Sequence, residues 1–330
     1  MLRLLQPTDD WTRYETGTLP FPKLSDYLRD EAQAHAIWLN SDGVATARCS
    51  LWWDQTPRYQ DSRVGTIGHY SASSLETGRR LIEASEQVLS DHGCGYVIGP
   101  MDGNTWRKYR FVIRDTCGFP QFFLEPAHPV DWPDHFHSAG YSVLAEYYSA
   151  VCEDLSIRDP RTERLQQQFK DAGMNFRWFQ RDAQEDDLRA IHQVSLAAFR
   201  SAFLFVPISF EEFQTQFRPL LERVPTDWIL IAEQNSRVVG FVFGVPDAME
   251  AARGHKSDTV ILKSIGLYPE RDLAGLGILM VQHFHDVVRE RGFHRVIHAM
   301  VHSENAAANN ISSRYTHPFR TYGLFGRKLS

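Results

Sequence analysis

Two glycines lie where a strand gives way to a helix, in the segment LYPERDLAGLGILMVQHF that begins at Leu267. The first turn of a helix leaves backbone N–H groups unpaired and carries a partial positive charge, and glycine lets a ligand approach that backbone closely. Gly275 and Gly277 therefore suit a phosphate or a pyrophosphate. A tight strand-to-helix turn without a ligand has the same composition. The spacing matches neither a P-loop nor a dinucleotide-binding loop.

The residues around this loop predict the elements that position it. WILIAE, RVVGFVFGV and TVILKSIGL predict three strands before the loop, and HRVIHAMV predicts a strand after the helix. The helix itself carries an apolar stripe at a spacing of three and four residues, and Gly292 can cap its end.

The first half of the chain repeats this order. AIWLN, VATARCSLWW and RVGTIGHYS predict three strands, an amphipathic helix follows up to Gly93, and GYVIGP predicts the next strand. Because consecutive elements agree in order, we predict an α/β (α+β) fold with two tandem domains, residues 1–155 and 156–330. Each domain is a mixed, mostly antiparallel twisted sheet flanked by helices. The charged segment EDLSIRDPRTER joins them, and RTERLQQQFKDAG predicts a solvated helix.

Composition narrows the class of protein. The chain has 330 residues and a formal net charge of −6, so no global basic field attracts nucleic acid or an anionic membrane. No apolar run approaches the roughly 20 residues of a membrane helix, and no export signal is evident at the N-terminus. The scattered Cys49, Cys94, Cys117 and Cys152 favour reduced thiols. A cytoplasmic protein without a membrane partner is the expectation.

The histidines could invite a metal proposal. His294, His298 and His302 alternate onto one face of a predicted strand, but residues four apart on a strand are separated by about 13 Å. His283 and His285 are two apart on a helix and do not share a face. We therefore predict no metal site.

The glycine segment resembles a known motif once its flanks are included. Leu267-x-Pro269 followed by Asp272-x-x-Gly275-x-Gly277 resembles motif A of the GCN5-related N-acetyltransferases (GNATs), R/Q-x-x-G-x-G/A. SENAAANN, after the next strand, resembles the Asn-rich entry to the fourth helix of that family. The resemblance covers most of residues 173–330. It implies an acyltransferase that uses acetyl-CoA, or another acyl-CoA, as co-substrate and transfers the acyl group directly to an amine of a small molecule or peptide.

The first half resembles the same fold without its motif. HYSASSLETGRR stands at the matching place, with Gly78 as its one glycine, and Ser73 and Ser74 suit a helix cap. The resemblance therefore implies a degenerate N-terminal GNAT-like copy, which either completes the acceptor pocket or supports the second half.

The resemblance also implies a set of residues that bind the co-substrate. In that family the loop and the helix start hold the pyrophosphate, and the preceding strand end pairs with the pantetheine arm. The residues implied here are Ile265, Gly266, Leu267, Arg271, Asp272, Leu273, Ala274, Gly275, Leu276, Gly277, Ile278 and Asn305.

Asp272 departs from the motif, because the family has Arg or Gln at this position. A carboxylate near a pyrophosphate is repulsive by about 1 kcal/mol or more, depending on screening. Three alternatives are open. Asp272 points to solvent while Arg271 turns inward, it shapes the loop by accepting backbone N–H bonds, or the domain binds its co-substrate poorly.

Acyl transfer to an amine needs a neutral amine, a stabilised oxyanion and a proton for the departing thiolate. Many relatives use a Tyr in N-x-x-A-x-x-x-Y for that proton, but the count from Asn305 reaches Ser312, and Tyr315 lies three residues further on. Ser312 and Tyr315 are both candidates, and Tyr315 as a packed aromatic is the alternative. Glu304, beside His302 at the end of the predicted strand, is the candidate base, with a solvated carboxylate as its alternative.

Two segments leave the acceptor and partners open. TWRKYRFVIR interleaves Arg107, Lys108, Arg110 and Arg114 with aromatics, which suits nucleic acid, a solvated face, or an acceptor that carries a carboxylate or phosphate. FRSAFLFVPISF predicts an apolar pocket wall, a dimer contact or ordinary core.

A non-catalytic CoA-binding protein is the main alternative function. A tRNA-dependent aminoacyl-transferase ranks last, because the acidic chain disfavours nucleic acid. Monomer and homodimer are both compatible with the sequence.

Overall fold

The first half contains the three strands, the helix and the following strand that the sequence predicts, with further strands around them. The computed structural model describes residues 1–6, 9, 14, 19, 29–181, 184–222 and 225–329. The elements of the first half are β1 (Leu2–Leu5), β2 (Ala34–Leu39), β3 (Ala45–Trp52), β4 (Arg58–Tyr59), β5 (Ser62–Ala72), α1 (Leu75–Asp91), β6 (Tyr96–Gly99), β7 (Phe111–Asp115), α2 (Trp132–Ser138) and β8 (Ser142–Cys152).

The second half has the same arrangement with additional helices. Its elements are α3 (Thr162–Asp171), β9 (Met174–Trp178), α4 (Gln184–Ala198), α5 (Phe210–Leu221), β10 (Ile229–Gln234), β11 (Arg237–Pro246), α6 (Ala248–Ala252), β12 (Thr259–Leu267), α7 (Leu276–Glu290), β13 (Arg295–His302), α8 (Ala306–Ser312) and β14 (His317–Lys328). Short 3₁₀ turns cover Thr226–Trp228 and Arg271–Leu273.

The two halves share one strand arrangement. β2, β3 and β5 pair antiparallel and β5 pairs parallel with β6; β10, β11 and β12 pair antiparallel and β12 pairs parallel with β13. In each half the parallel pair is connected by a helix, α1 or α7. The predicted repetition of elements and the mixed α/β (α+β) fold are confirmed.

The halves exchange their last strands. β8 pairs with β13 and β14, and β14 pairs with β6, β7 and β8. One sheet of 14 strands therefore runs through both halves, in the order β1-β2-β3-β5-β6-β14-β8-β13-β12-β11-β10-β9 along its main path. The predicted boundary between residues 155 and 156 lies in the connection from β8 to α3. The division of the chain into two domains at that point stays a prediction.

Apolar cores cover both faces of the second-half sheet. One core packs α7 and α3 onto β10–β13, and the other packs α4 and α5 onto the opposite face. Leu165 and Phe169 of α3 are buried in the first core. The prediction that α3 is a solvated helix was therefore wrong for this face, because α3 covers α7. No helix among the described residues combines the length and the apolar character needed to cross a membrane.

Candidate functional site

β12 and β13 begin as neighbours and then separate. Their parallel ladder runs from Thr259↔Arg295 to Leu262↔His298 and ends there, although both strands continue. Each strand also has an irregularity just beyond that point. The β11–β12 register shifts at Lys263, and the β13–β8 register shifts across residues 299–300. A V-shaped opening results, which we name the β12–β13 cleft.

The β12–β13 cleft is narrow and is closed on one side by α8. Its cavity volume is about 70 Å³. On the β13-facing edge, residues 263–267 have no ladder partner, while the other edge of β12 remains paired with β11 up to Leu267. An unpaired strand edge can bond an extended amide chain. The lining includes Ile265, Val281, His298, Val301, Ile311 and Ser312.

The head of α7 lies at the mouth of this cleft. Gly275 is its N-cap, with φ of 94°, a left-handed conformation that glycine adopts without strain. Within the described part of the chain, no hydrogen bond uses the backbone N–H of Gly275, Leu276 or Gly277. A Cβ at Gly277 would stand 2.9 Å from the Ile311 side chain. The free amides fit a diphosphate, and the Ile311 side chain determines the room beside them.

The loop before α7 orients its side chains in different directions. Leu273 is buried, whereas Arg271, Asp272 and Ala274 are exposed. No hydrogen bond or ion pair among the described residues involves the Asp272 carboxylate. Asp272 thus lies on the solvent side of the turn, and the alternative in which it accepts backbone N–H bonds is not seen. Arg271 does not turn inward either.

The matching place in the first half is filled by the chain itself. Met101 N–H bonds the Ile67 carbonyl at 2.8 Å, and His69 N–H bonds Asp102 Oδ1 at 2.6 Å, which occupies the edge of β5 beyond its parallel ladder with β6. A Cβ at Gly78, in the first turn of α1, would stand 2.2 Å from the Tyr70 hydroxyl. The predicted Ser74 cap is confirmed, since its side chain accepts the Thr77 N–H.

The predicted catalytic side chains lie in three different settings. Ser312 lines the cleft, and its hydroxyl lies 3.2 Å from His298 Nδ1. Glu304 is exposed directly after β13, and its N–H donates to His302 Nδ1. Tyr315 is 4% exposed and packs edge-on against His285, and its hydroxyl has no partner among the described residues. Burial raises the pKa of Tyr315 to about 12. Ser312 therefore faces the cleft, whereas Tyr315 is enclosed in the core.

A tyrosine that the sequence did not single out approaches Ser312. Tyr148 of β8 comes from the first half, and its hydroxyl donates to Asn309 Oδ1 at 2.9 Å. Burial raises the pKa of Tyr148, and a hydrogen bond with Ser312 partly offsets this. Asn305 has a local role, because its side chain accepts the Ala308 N–H and caps α8. A phenol thus reaches the α8 position where the motif expects one, but from another strand.

No protein-family model matches the chain. It is 21% identical over 279 residues to Protein YghO of Escherichia coli (strain K12), an alignment that covers 76% of this chain and 70% of that protein. A GCN5-related glucosamine N-acetyltransferase region of a fungal multi-domain GH3 beta-N-acetylglucosaminidase superposes with a TM-score of 0.57 at 13% identity, covering 99% of this chain but 38% of that chain. A tandem GNAT protein from the clavulanic acid biosynthesis pathway superposes with a TM-score of 0.51 at 12% identity, covering 99% of this chain and 98% of that chain. This chain has the GCN5-related N-acetyltransferase fold.

The tandem form of the GNAT fold explains why the cleft borrows residues from both halves. The TWRKYRFVIR segment lies against the second half: Trp106 Nε1 donates to the Val206 carbonyl at 2.7 Å, and Arg107 pairs with Glu212 at 2.9 Å. Lys108 and Arg114 are exposed, and Arg110 is buried. Strand exchange places such residues together, so spacing within one half could not have revealed them.

One cluster in the first half of this GNAT fold has metal-ligand chemistry. The ligand atoms of Asp30, His69 and Asp102 lie within 4.8 Å of one another. Asp30 already pairs with Arg29 at 3.0 Å and with Arg107 at 3.7 Å. The two guanidinium groups already supply positive charge to this carboxylate, so the cluster is better explained as an ion-pair network than as a cation site.

Proposed function

We propose that this protein is an acyl-CoA-dependent N-acyltransferase that acts on an amine of a small molecule or peptide by direct transfer. The observation that carries the proposal is the separation of β12 and β13 beside the unpaired amides of Gly275, Leu276 and Gly277. The first half has the same strand arrangement, but its corresponding opening is filled. We therefore assign the chemistry to the second half.

The residues that would hold the co-substrate follow from this geometry. The three amides at the head of α7 face the diphosphate, and the free edge of residues 263–267 bonds the amide groups of the pantetheine arm. Acetyl-CoA, or another acyl-CoA, supplies an activated thioester carbonyl. Arg271 is exposed on the same turn, and we assign it the positive charge that the motif residue would supply to the diphosphate.

The chain's own side chains would handle the protons. As the amine forms its bond to the acyl carbon, the carbon–sulfur bond breaks, the amine loses a proton and the sulfur gains one. The proposed donor to sulfur is the Tyr148 hydroxyl, held by Asn309 and Ser312 and kept protonated by its raised pKa. Glu304, exposed after β13, is the proposed base. Tyr315 has no role in this scheme, because its hydroxyl is enclosed.

A non-catalytic CoA-binding protein is the second candidate. The observation that favours it is the absence of a tyrosine at the motif position on α8, where Ser312 stands, while Tyr315 is enclosed in the core. The narrow cleft of about 70 Å³ bears equally on both candidates, since both would bind the pantetheine arm there. Both candidates bind acyl-CoA, but only the acyltransferase transfers the acyl group to an amine.

The test combines binding and turnover. Purified protein is mixed with acetyl-CoA and a panel of amines, and thiol release is followed together with acetyl-CoA binding. We expect amine-dependent release. Binding of acetyl-CoA without thiol release in the presence of any of the amines would favour the second candidate. Absence of acetyl-CoA binding would overturn both.

A variant pair sharpens this test. Gly277→Val puts a side chain at the head of α7 that would press on Ile311, whose Cδ1 is 2.9 Å from the added Cβ, and is expected to weaken acetyl-CoA binding by about tenfold or more. Gly292→Val is the control, because it strains the other end of the same helix at φ of 80° with open space around it. Unfolding of both variants is measured alongside, so that loss of binding is separated from loss of fold.

A further inference from the structure

Two cations, Lys263 and Arg110, lie near the closed end of the β12–β13 cleft. Lys263 lies at the register shift of β12, one residue beyond the last ladder pair, and Arg110 reaches the corresponding irregularity of β13. No salt bridge among the described residues joins either side chain to an acid. Arg110 is buried and Lys263 is half-buried, and cations so enclosed ordinarily have such partners, so this pair needs an explanation.

Lys263 lies in an aromatic setting. Its ammonium is 5.4 Å from the centre of the Phe217 ring on α5 and 5.8 Å from that of Phe243 on β11. Loss of water around the ammonium and, to a smaller extent, the positive charge of Arg110 together lower the pKa of Lys263 to about 8. The two cations are thus close enough to repel each other.

Arg110 is held in position by groups that leave its charge uncompensated. Its guanidinium lies over the rings of Tyr109 and Tyr147, at 3.8 and 4.2 Å from their centres, and the two rings pack edge to face. Nη1 donates to the Met300 carbonyl at 3.2 Å, and Nε donates to the Tyr109 carbonyl. Neutral carbonyls and rings orient the guanidinium, but none of them neutralises it.

A third donor faces the same region. His302 packs on Tyr147 and Phe203, and its Nδ1 accepts the Glu304 N–H. That bond assigns the ring proton to Nε2, which is buried and has no partner in the described part of the chain. His302 and Arg110 both contact the Tyr147 ring. Burial lowers the pKa of His302, the nearby Glu304 carboxylate raises it, and Arg110 lowers it.

The surrounding wall is apolar and comes from both halves. Phe203 packs against Tyr59 of the first half, Leu204 is buried beside Met101, and Trp106 donates to the Val206 carbonyl. The loop that the sequence offered as a pocket wall therefore closes this region on the face of α4 and α5. A charge in such surroundings is poorly screened by water.

We propose that the acceptor amine carries an anionic group, a carboxylate or a phosphate, bound by Lys263, Arg110 and the Nε2–H of His302. This inference rests on the proposed function and names its substrate class. It also gives the first half a role, since Arg110 comes from that half.

The experiment compares matched acceptors in the full-length protein. An α-amino acid is tested against its carboxamide, and O-phosphoethanolamine against ethanolamine, with acetyl-CoA as donor. The charged member of at least one pair is expected to have a kcat/KM about 10- to 100-fold higher, mainly through KM, because charge-assisted bonds are lost with the anion. The pair with the larger difference identifies carboxylate or phosphate as the group bound.

Variants localise the effect. Lys263→Met is expected to remove most of the preference for the charged acceptor and to raise its KM. Lys108→Met, in the same segment as Arg110 but exposed, is the control and is expected to leave the preference unchanged.

Each outcome decides a different question. Equal use of charged and neutral acceptors by the wild-type protein would overturn the inference and leave the proposed function standing. A preference that survives in Lys263→Met would also overturn it. Failure to bind acetyl-CoA would overturn the proposed function itself. The wild-type comparison holds even if a variant fails to fold.

Discussion

At the residue scale, the chemistry of each polar group follows from its neighbours. The Asp272 carboxylate is exposed on the turn before α7, without a partner among the described residues. It nevertheless lies next to the amides that we assign to a diphosphate, and its charge opposes that ligand at long range. Repulsion between this carboxylate and a bound diphosphate weakens binding, and solvent screens that repulsion without removing it.

Removing this charge should strengthen co-substrate binding. Asp272→Asn is expected to lower the Kd for acetyl-CoA by about threefold to tenfold at low salt, with a smaller effect at high salt. Glu290→Gln, at the opposite end of α7, is the charge-matched control. Titration calorimetry of the two variants provides the measurement. Equal affinities for wild type and Asp272→Asn would show that the diphosphate lies elsewhere.

The proposed proton donor is testable by removing one oxygen. Tyr148→Phe is expected to lower kcat by about 100-fold while KM for the acyl donor changes little, because the phenol acts as the thiolate leaves. The basic limb of the pH–rate profile should change with it. Tyr96→Phe on β6 is the control. Unchanged kcat in Tyr148→Phe would exclude the assignment.

The sequence could predict some of these residues and not others. Gly275 and Gly277 follow from a local need, a glycine-led turn at the head of a helix, which is visible in the neighbouring sequence. Asn305 was predicted to bind the co-substrate, and the structure shows it capping α8. No local pattern records which strand will lie beside β13, so Tyr148 was not singled out, and Arg110 was only one of four basic residues offered for an acidic acceptor.

At the element scale, α7 and β13 are joined by a buried histidine pair. His285 Nε2 lies 3.1 Å from His298 Nε2, and His298 Nδ1 lies 3.2 Å from Ser312. Burial lowers the pKa of His298 to about 4, and burial and then His298 lower that of His285. Both rings are therefore neutral in the folded protein at pH 7. The unfolded chain takes up protons on these rings near pH 6.5.

This pair makes stability depend on pH. Because the pKa of His298 is lower in the folded than in the unfolded protein, protons bind preferentially to the unfolded chain. The free energy of unfolding is therefore unaffected by this group above about pH 6.5 and decreases as pH falls from there towards 4. His298→Gln should make the free energy of unfolding fall less between pH 7 and 5, by about 2 kcal/mol relative to wild type. Urea unfolding at both pH values measures this, with His255→Gln, an exposed site, as control. Parallel pH profiles for wild type and His298→Gln would contradict it.

Most elements were predictable because their patterns are local. The strands around the glycine loop and the helix that follows it appear where alternation and helical periodicity place them. The solvated α3 was an error, because a stripe of two apolar residues, Leu165 and Phe169, was too short to indicate burial. The approach of the Leu165 side chain to Gly275 depends on how α3 packs against α7, which the sequence of α3 alone does not reveal.

At the scale of the whole molecule, strand exchange ties the halves into one folding unit. β14 lies between β6 and β8, so the last strand of the chain completes the sheet of the first half. Buried polar groups link the halves further: Arg320 of β14 pairs with Glu125, in the connection between β7 and α2, and Tyr322 donates to the same carboxylate. The order of elements predicted a repeat, but an unexchanged tandem pair would share that order.

The exchange predicts that the halves do not fold alone. Residues 1–155 lose β14, and residues 156–330 lose β8, so each fragment exposes the edge of a buried strand and forfeits much of a stability that is typically about 5–15 kcal/mol. Circular dichroism of the separate fragments should show no cooperative unfolding, while co-expressed fragments should assemble. A cooperative transition in the isolated second half would contradict this account.

The central claim is that the head of α7 grips the diphosphate of an acyl-CoA. Titration calorimetry of the wild-type protein with acetyl-CoA and with S-acetylpantetheine, which lacks the diphosphate and the nucleotide, tests it most directly. We expect acetyl-CoA to bind about 100-fold more tightly than S-acetylpantetheine, and Gly277→Val to remove most of that difference. Equal affinities for the two thioesters, or no binding of acetyl-CoA, would contradict the claim.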